Sequence, residues 1–107
     1  METVPALDES VLRDALRDVI DPELGYNIVD LGLVYGVATE GGIVDVTMTM
    51  TTPGCPAQDY IVSGVERRLA EVPGVTGVYV DLVWSPAWSP RRMSPEAKAI
   101  FQIRDEA

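Results

Sequence analysis

Between Ile43 and Thr51 the chain alternates strictly. Val44, Val46, Met48 and Met50 are set against Asp45, Thr47, Thr49 and Thr51, the period of a strand with one face in a core. A few residues later the period changes. Ile61, Val65, Leu69 and Val72 recur at helical spacing, with Glu66, Arg67, Arg68 and Glu71 largely off that stripe. The switch falls within Thr51-Thr52-Pro53-Gly54-Cys55-Pro56. Pro73-Gly74 ends the helix. Val75–Trp84 then alternates again, with Val78, Val80, Leu82 and Trp84 on one side. This is a β-α-β unit, right-handed if its two strands run parallel in one sheet.

The flanking segments complete the domain. Asp8 is a good N-cap, and Leu7 and Leu12 stand at the positions of a hydrophobic staple. Val11, Leu12, Ala15, Leu16, Val19 and Ile20 predict a first helix. It should stop at Asp21, because a residue before proline avoids the helical region and Pro22 lacks an N–H. Asp21–Asn27 has turn chemistry. Ile28–Thr39 predicts a strand, with Leu31, Leu33, Tyr35 and Val37 on one side and Gly32, Val34, Gly36 and Ala38 on the other. Those small residues imply close approach of another backbone or helix, or a bulge. Glu40-Gly41-Gly42 is a hairpin turn. Two prolines in six residues make Ser85–Pro90 irregular. Ser94-Pro95-Glu96 opens a last helix through about Ile103. The order α-β-β-α-β-α predicts a two-layer α+β fold, a three-stranded sheet with helices on one face. With 107 residues, 47% of them hydrophobic, the chain suits one domain over residues 1–107, with 1–7 as a loose leader. Strand order stays open.

Charge and cysteine usage narrow the function. A net charge of -9 argues against nucleic acid, since phosphate contacts need clustered Lys and Arg. It keeps a small protein soluble and could suit basic partner surfaces. No apolar run approaches the ~20 residues that span a bilayer, and Met1–Pro5 is too short for a signal peptide. A lone cysteine excludes an internal disulfide framework and fits a reducing compartment, so a cytoplasmic protein is expected.

There is no histidine, so chemistry within this chain must use one thiol, carboxylates, hydroxyls or backbone groups. Pro56 sits where proline is preferred, at a first helical position, with Cys55 at the cap. A thiol there should ionise more easily than a free one, and the thiolate is both nucleophile and metal ligand. The other reading of Cys55 is a small apolar filler. One thiolate cannot hold an iron–sulfur cluster, which usually needs four, so any cluster would be shared across a dimer, with a partner or with a small thiol. A cysteine–histidine hydrolase within this chain is excluded. Asp21 and Glu23 flank Pro22 on a rigid turn and could bind a metal, or Asp21 could bond its own backbone as a helix stop. Asp30, between Val29 and Leu31, needs a donor if buried and could cap amides near the Thr51–Cys55 turn. Thr47, Thr49, Thr51 and Thr52 could bond a ligand beside Gly54 and Cys55, or be the solvent side of a strand. Trp84, Pro86 and Trp88 form a docking surface if exposed, and close one end of the core if buried.

Together these segments resemble a known family. Asp21-Pro22-Glu23-Leu24-Gly25, Ile28–Tyr35, Thr51–Pro56 and Val83–Trp88 are similar to the MIP18-type domain, once a domain of unknown function (DUF59). That family includes the SufT-like proteins, with the PaaD proteins nearby. The likeness runs from about Val11 to Phe101, and four motifs in the right order make it specific. It implies a fold similar to the NifU C-terminal type. It also implies a non-enzymatic, accessory or targeting role in maturing iron–sulfur proteins. On this reading no cofactor is tightly bound. Cys55 would be a transient ligand to iron, to a shared cluster or to a partner thiol. Asp21 and Glu23 would lie in the signature loop. Partners would be the assembly machinery or client apo-proteins, and a homodimer would ease cluster sharing. The alternative is an adaptor that docks clients through Trp84–Trp88, including PaaD-like oxygenase maturation. The family commonly reads Trp-Asp-Pro-Pro-Trp where this chain has Ser85 and Ala87. The extra C-terminal cysteines of the PaaD branch are missing, which favours the SufT-like branch.

Overall fold

A computed structural model describes residues 8–51, 54 and 56–102. Helix α1 spans Glu9–Leu16, and the Asp8 side chain accepts from the Val11 amide as expected of its cap. Leu7, the other half of the expected staple, lies outside the described residues. α1 ends a turn earlier than the proline rule predicts. Arg17 is its C-cap, and the chain then extends so that β1 (Ile20–Asp21) pairs antiparallel with β2 (Tyr26–Asn27). The Asp21–Gly25 stretch is therefore a hairpin turn, closed by the Gly25 amide donating to the Asp21 carbonyl at 2.7 Å. A helix in that place would leave the Ile28 amide without its 3.0 Å bond to the Val19 carbonyl.

The strand expected over Ile28–Thr39 is only half a strand. Its first part is a tight turn, in which the amides of Leu31, Gly32 and Leu33 donate to the carbonyls of Asn27, Val29 and Ile28. Ile28, Leu31 and Leu33 are still fully buried, so the apolar pattern placed them in the core through a different backbone. Strand β3 then runs Val34–Glu40 and β4 runs Ile43–Met48, antiparallel, with a register shift between Val34 and Gly36. That bulge brings Val34 and Val37 to one face, opposite Met48 and Val46, although strict alternation would separate them. After α2 (Gln58–Ala70), β5 (Gly77–Leu82) pairs parallel with β4, which is central in the order β3-β4-β5. The last helix, α3, spans Pro95–Phe101, and the Ser94 hydroxyl caps it by accepting from the Ala97 amide. It stops short of the expected Ile103: Gln102, with a left-handed φ of 58°, is already the C-cap, and Ile103 lies outside the described residues.

The layers follow from the pattern. Val44, Val46 and Met48 of β4 are fully buried beneath Ile61, Val65 and Leu69 of α2 and Leu12 and Leu16 of α1. Val78, Val80 and Leu82 of β5 pack against the same core. The opposite face carries Asp45, Tyr79 and Asp81, all exposed. This is the two-layer α+β arrangement with one covered and one open sheet face. Arg68 of α2 ties to Asp18 after α1 at 2.8 Å, and Gly64 lets α2 lie close to Val19.

Candidate functional site

The strand-to-helix connection departs from the expected one. β4 ends at Met48, and both Thr49 and Met50 are buried as the chain leaves the sheet. Thr49 is thus not on a wet face: its amide donates to the Leu33 carbonyl at 2.9 Å and its hydroxyl to the Met50 carbonyl at 3.4 Å. Thr47 and Thr51 are half-buried. Gly54 is exposed with φ of +73°, a backbone that glycine adopts without strain. Helix α2 begins at Gln58 with Ala57 as its cap residue, so Cys55 stands two positions before the cap rather than at it. Pro56 correspondingly lies in the turn ahead of the helix, not at its first position. Cys55, Thr52 and Pro53 lie outside the described residues, so their expected roles are not assigned by contacts.

The carboxylates are spent locally. Asp21 is 1% exposed, and its Oδ1 accepts from the amides of Glu23 at 2.8 Å and Leu24 at 3.3 Å. This is the helix-stop alternative realised as a hairpin device. Glu23 is exposed on the same turn. Asp30 does have the donor its half-buried position needs, but that donor is not an amide near Thr51. Asn27 Nδ2 donates to Asp30 Oδ2 at 2.8 Å, while the Asp30 amide donates back to Asn27 Oδ1 at 2.8 Å. Arg17 adds its charge at 3.8 Å. Among the described residues no hydrogen bond or ion pair joins Asp21 or Asp30 to Thr51 or Gly54. Nor do three or more acids come together there as a metal site, in a set that excludes Cys55.

The tryptophan loop divides between the two roles offered to it. Trp84 is 43% exposed and Pro86 is exposed. Trp88 is half-buried, and its Nε1–H donates to the Leu31 carbonyl at 2.8 Å. The Tyr35 hydroxyl donates to the Pro86 carbonyl at 2.7 Å. The Arg92 guanidinium lies over the Tyr35 ring at 4.7 Å and donates from Nε to the Ala87 carbonyl at 3.3 Å. Gly32, with φ of +81°, admits this packing, because a Cβ there would overlap the Arg92 carbonyl. The small residues of the Gly32–Ala38 stretch therefore mark both a close backbone approach and a bulge. Tyr35 and Arg92 were not singled out from the sequence. Tyr35 reads as one more strand residue, and no spacing signal links it to a cation 57 residues away.

Comparison with known proteins agrees with this architecture. Residues 9–81 match the family model of the iron–sulfur cluster assembly protein. The chain is 45% identical over 100 residues to the Fe-S protein maturation auxiliary factor YitW of Bacillus subtilis, covering 92% of this chain and 97% of that one. It is 48% identical over 86 residues to the Fe-S protein maturation auxiliary factor SufT of Staphylococcus aureus, covering 79% and 98%. A crystal structure of a DUF59 domain from Bacillus anthracis superposes with a TM-score of 0.83 at 50% identity, over 90% of this chain and 92% of that one. The chain belongs to the iron–sulfur cluster assembly protein family.

Proposed function

We propose that this protein is a single-domain accessory factor in the assembly and maturation of iron–sulfur proteins. In this reading Cys55 takes iron, a cluster or a partner thiol transiently and passes it on. The observation that carries the reading is likeness along nearly the whole chain to proteins named as maturation auxiliary factors, across a segment that includes the single cysteine. With no histidine and one thiol, the chain lacks the cysteine–histidine pair of a thiol hydrolase and a full ligand set for a resident cluster, which supports a non-catalytic, sharing role. Its partners are assembly proteins and client apo-proteins, met in a reducing compartment, the cytoplasm. No helix among the described residues is long and apolar enough to cross a membrane.

Anaerobic reconstitution with iron and sulfide, read by absorbance and mass, tests the thiol's part. The native chain should take up iron that Cys55→Ser does not. Equal uptake by both would remove Cys55 from the mechanism. A second reading is supported by the exposure of Trp84 and Pro86: the chain docks clients through this loop, and the thiol is packing. That reading expects Trp84→Ala to impair maturation more than Cys55→Ser does.

A further inference from the structure

Beside the tryptophan loop lies a depression whose charge is opposite to that of the chain. The net charge is -9, yet the depression of about 510 Å³ is lined by Arg13 and Arg92 and by no carboxylate among the described residues. Its volume is in the range of sites that take one or a few side chains. Val29, Val34 and Pro86 supply apolar wall. Arg92 is fixed before any ligand arrives, by the Tyr35 ring beneath it and by the Ala87 carbonyl at its Nε. Arg13 Nε is held by Glu9 at 2.6 Å. The terminal nitrogens of both guanidiniums have no partner among the described residues. A planar, pre-positioned guanidinium suits a carboxylate, and an apolar wall beside it suits an aliphatic or aromatic neighbour of that carboxylate. Glu9 compensates Arg13, so Arg92 is the cation that sets the sign of the ligand, while screening limits the repulsion from more distant acids.

We propose that this depression receives an acidic peptide segment of a partner protein. A carboxylate would sit against Arg13 and Arg92, and an adjoining apolar side chain against Val29, Val34 and Pro86. This deepens, and rests on, the reading of the chain as a factor that engages other proteins. The test is fluorescence anisotropy of the full chain with a fluorescein-labelled hexapeptide alternating aspartate and leucine. Saturable binding is expected, weakened about tenfold by Arg13→Gln and by Arg92→Gln, the loss of one charge-assisted bond. Arg67→Gln, on α2 and outside the depression, should change it by less than about twofold, as a distant surface charge does. Binding should persist in Cys55→Ser, so failure of the thiol mechanism and failure of this site are separately visible. Arg13 is half-buried on α1, and its variant decides the matter even if circular dichroism finds Arg92→Gln unfolded. Absence of saturable binding, an equal loss in Arg67→Gln, or citrate binding as tightly at the same arginines would overturn the proposal.

Discussion

The Asp21 carboxylate is buried and committed to two amides, those of Glu23 and Leu24. Removing it takes the acceptor from both donors of the hairpin turn. Asp21→Ala should therefore cost about 2 kcal/mol in denaturant unfolding, whereas Asp21→Asn, which keeps Oδ1, should cost less than half of that. At Gly32 two penalties coincide: a positive φ, and overlap of any Cβ with the Arg92 carbonyl. Gly32→Ala should cost at least about 2 kcal/mol, and an unchanged unfolding midpoint would refute the close approach described above. Among the described residues Asp8 carries a pH signature. The Val11 amide, and then the Ser10 hydroxyl, hold its carboxyl below the ordinary 3.8. Since the folded value is the lower one, its contribution is full above 3.8 and fades as pH falls through the depressed value. Thermal melts of Asp8→Ala should thus fall below those of the native chain at neutral pH and converge with them in strong acid.

At the level of elements, the loop from Ser85 to Ser89 is docked on the Leu31 turn by side chains rather than by sheet pairing. Trp88 Nε1–H to the Leu31 carbonyl is the central tie, with Tyr35 to Pro86 beside it. Trp88→Phe keeps the ring and deletes the bond. It should lower stability by about 1 kcal/mol and speed hydrogen exchange in this loop before it affects α2. Elements with a long period were legible from the sequence: β4 and α2 present the buried residues that their spacing predicts, whereas on β5 Val78, Val80 and Leu82 are half-buried against the core and Trp84, expected on the same side, is 43% exposed. Capping chemistry at Asp8 and Ser94 was legible for the same local reason. The end of α1 and the Ile28–Leu33 turn were not. Apolar residues there are buried by a hairpin and a tight turn, and a periodicity argument cannot tell these from a helix end and a strand. The site was less legible than the fold. Asp21 looks chemical in sequence as one of two carboxylates on a rigid turn, and Asp30 because it interrupts an apolar run, yet each bonds within its own turn. The Tyr35–Arg92 contact joins residues that only the folded sheet brings together.

In the whole molecule the single cysteine follows the central strand β4 in sequence, and the Asp21 and Asp30 carboxylates bond within their own turns. Among the described residues, the fully buried large side chains of α1, α2 and the sheet form one core cluster. The central claim is a proposal about the thiol: substituting Cys55 should separate function from folding. The most direct measurement is complementation of a strain lacking this protein, read as the activity of its iron–sulfur enzymes, with Cys55→Ser produced at native level and melting within a few degrees of the native chain. This variant should restore no more activity than an empty vector. Full restoration of enzyme activity by Cys55→Ser would contradict it.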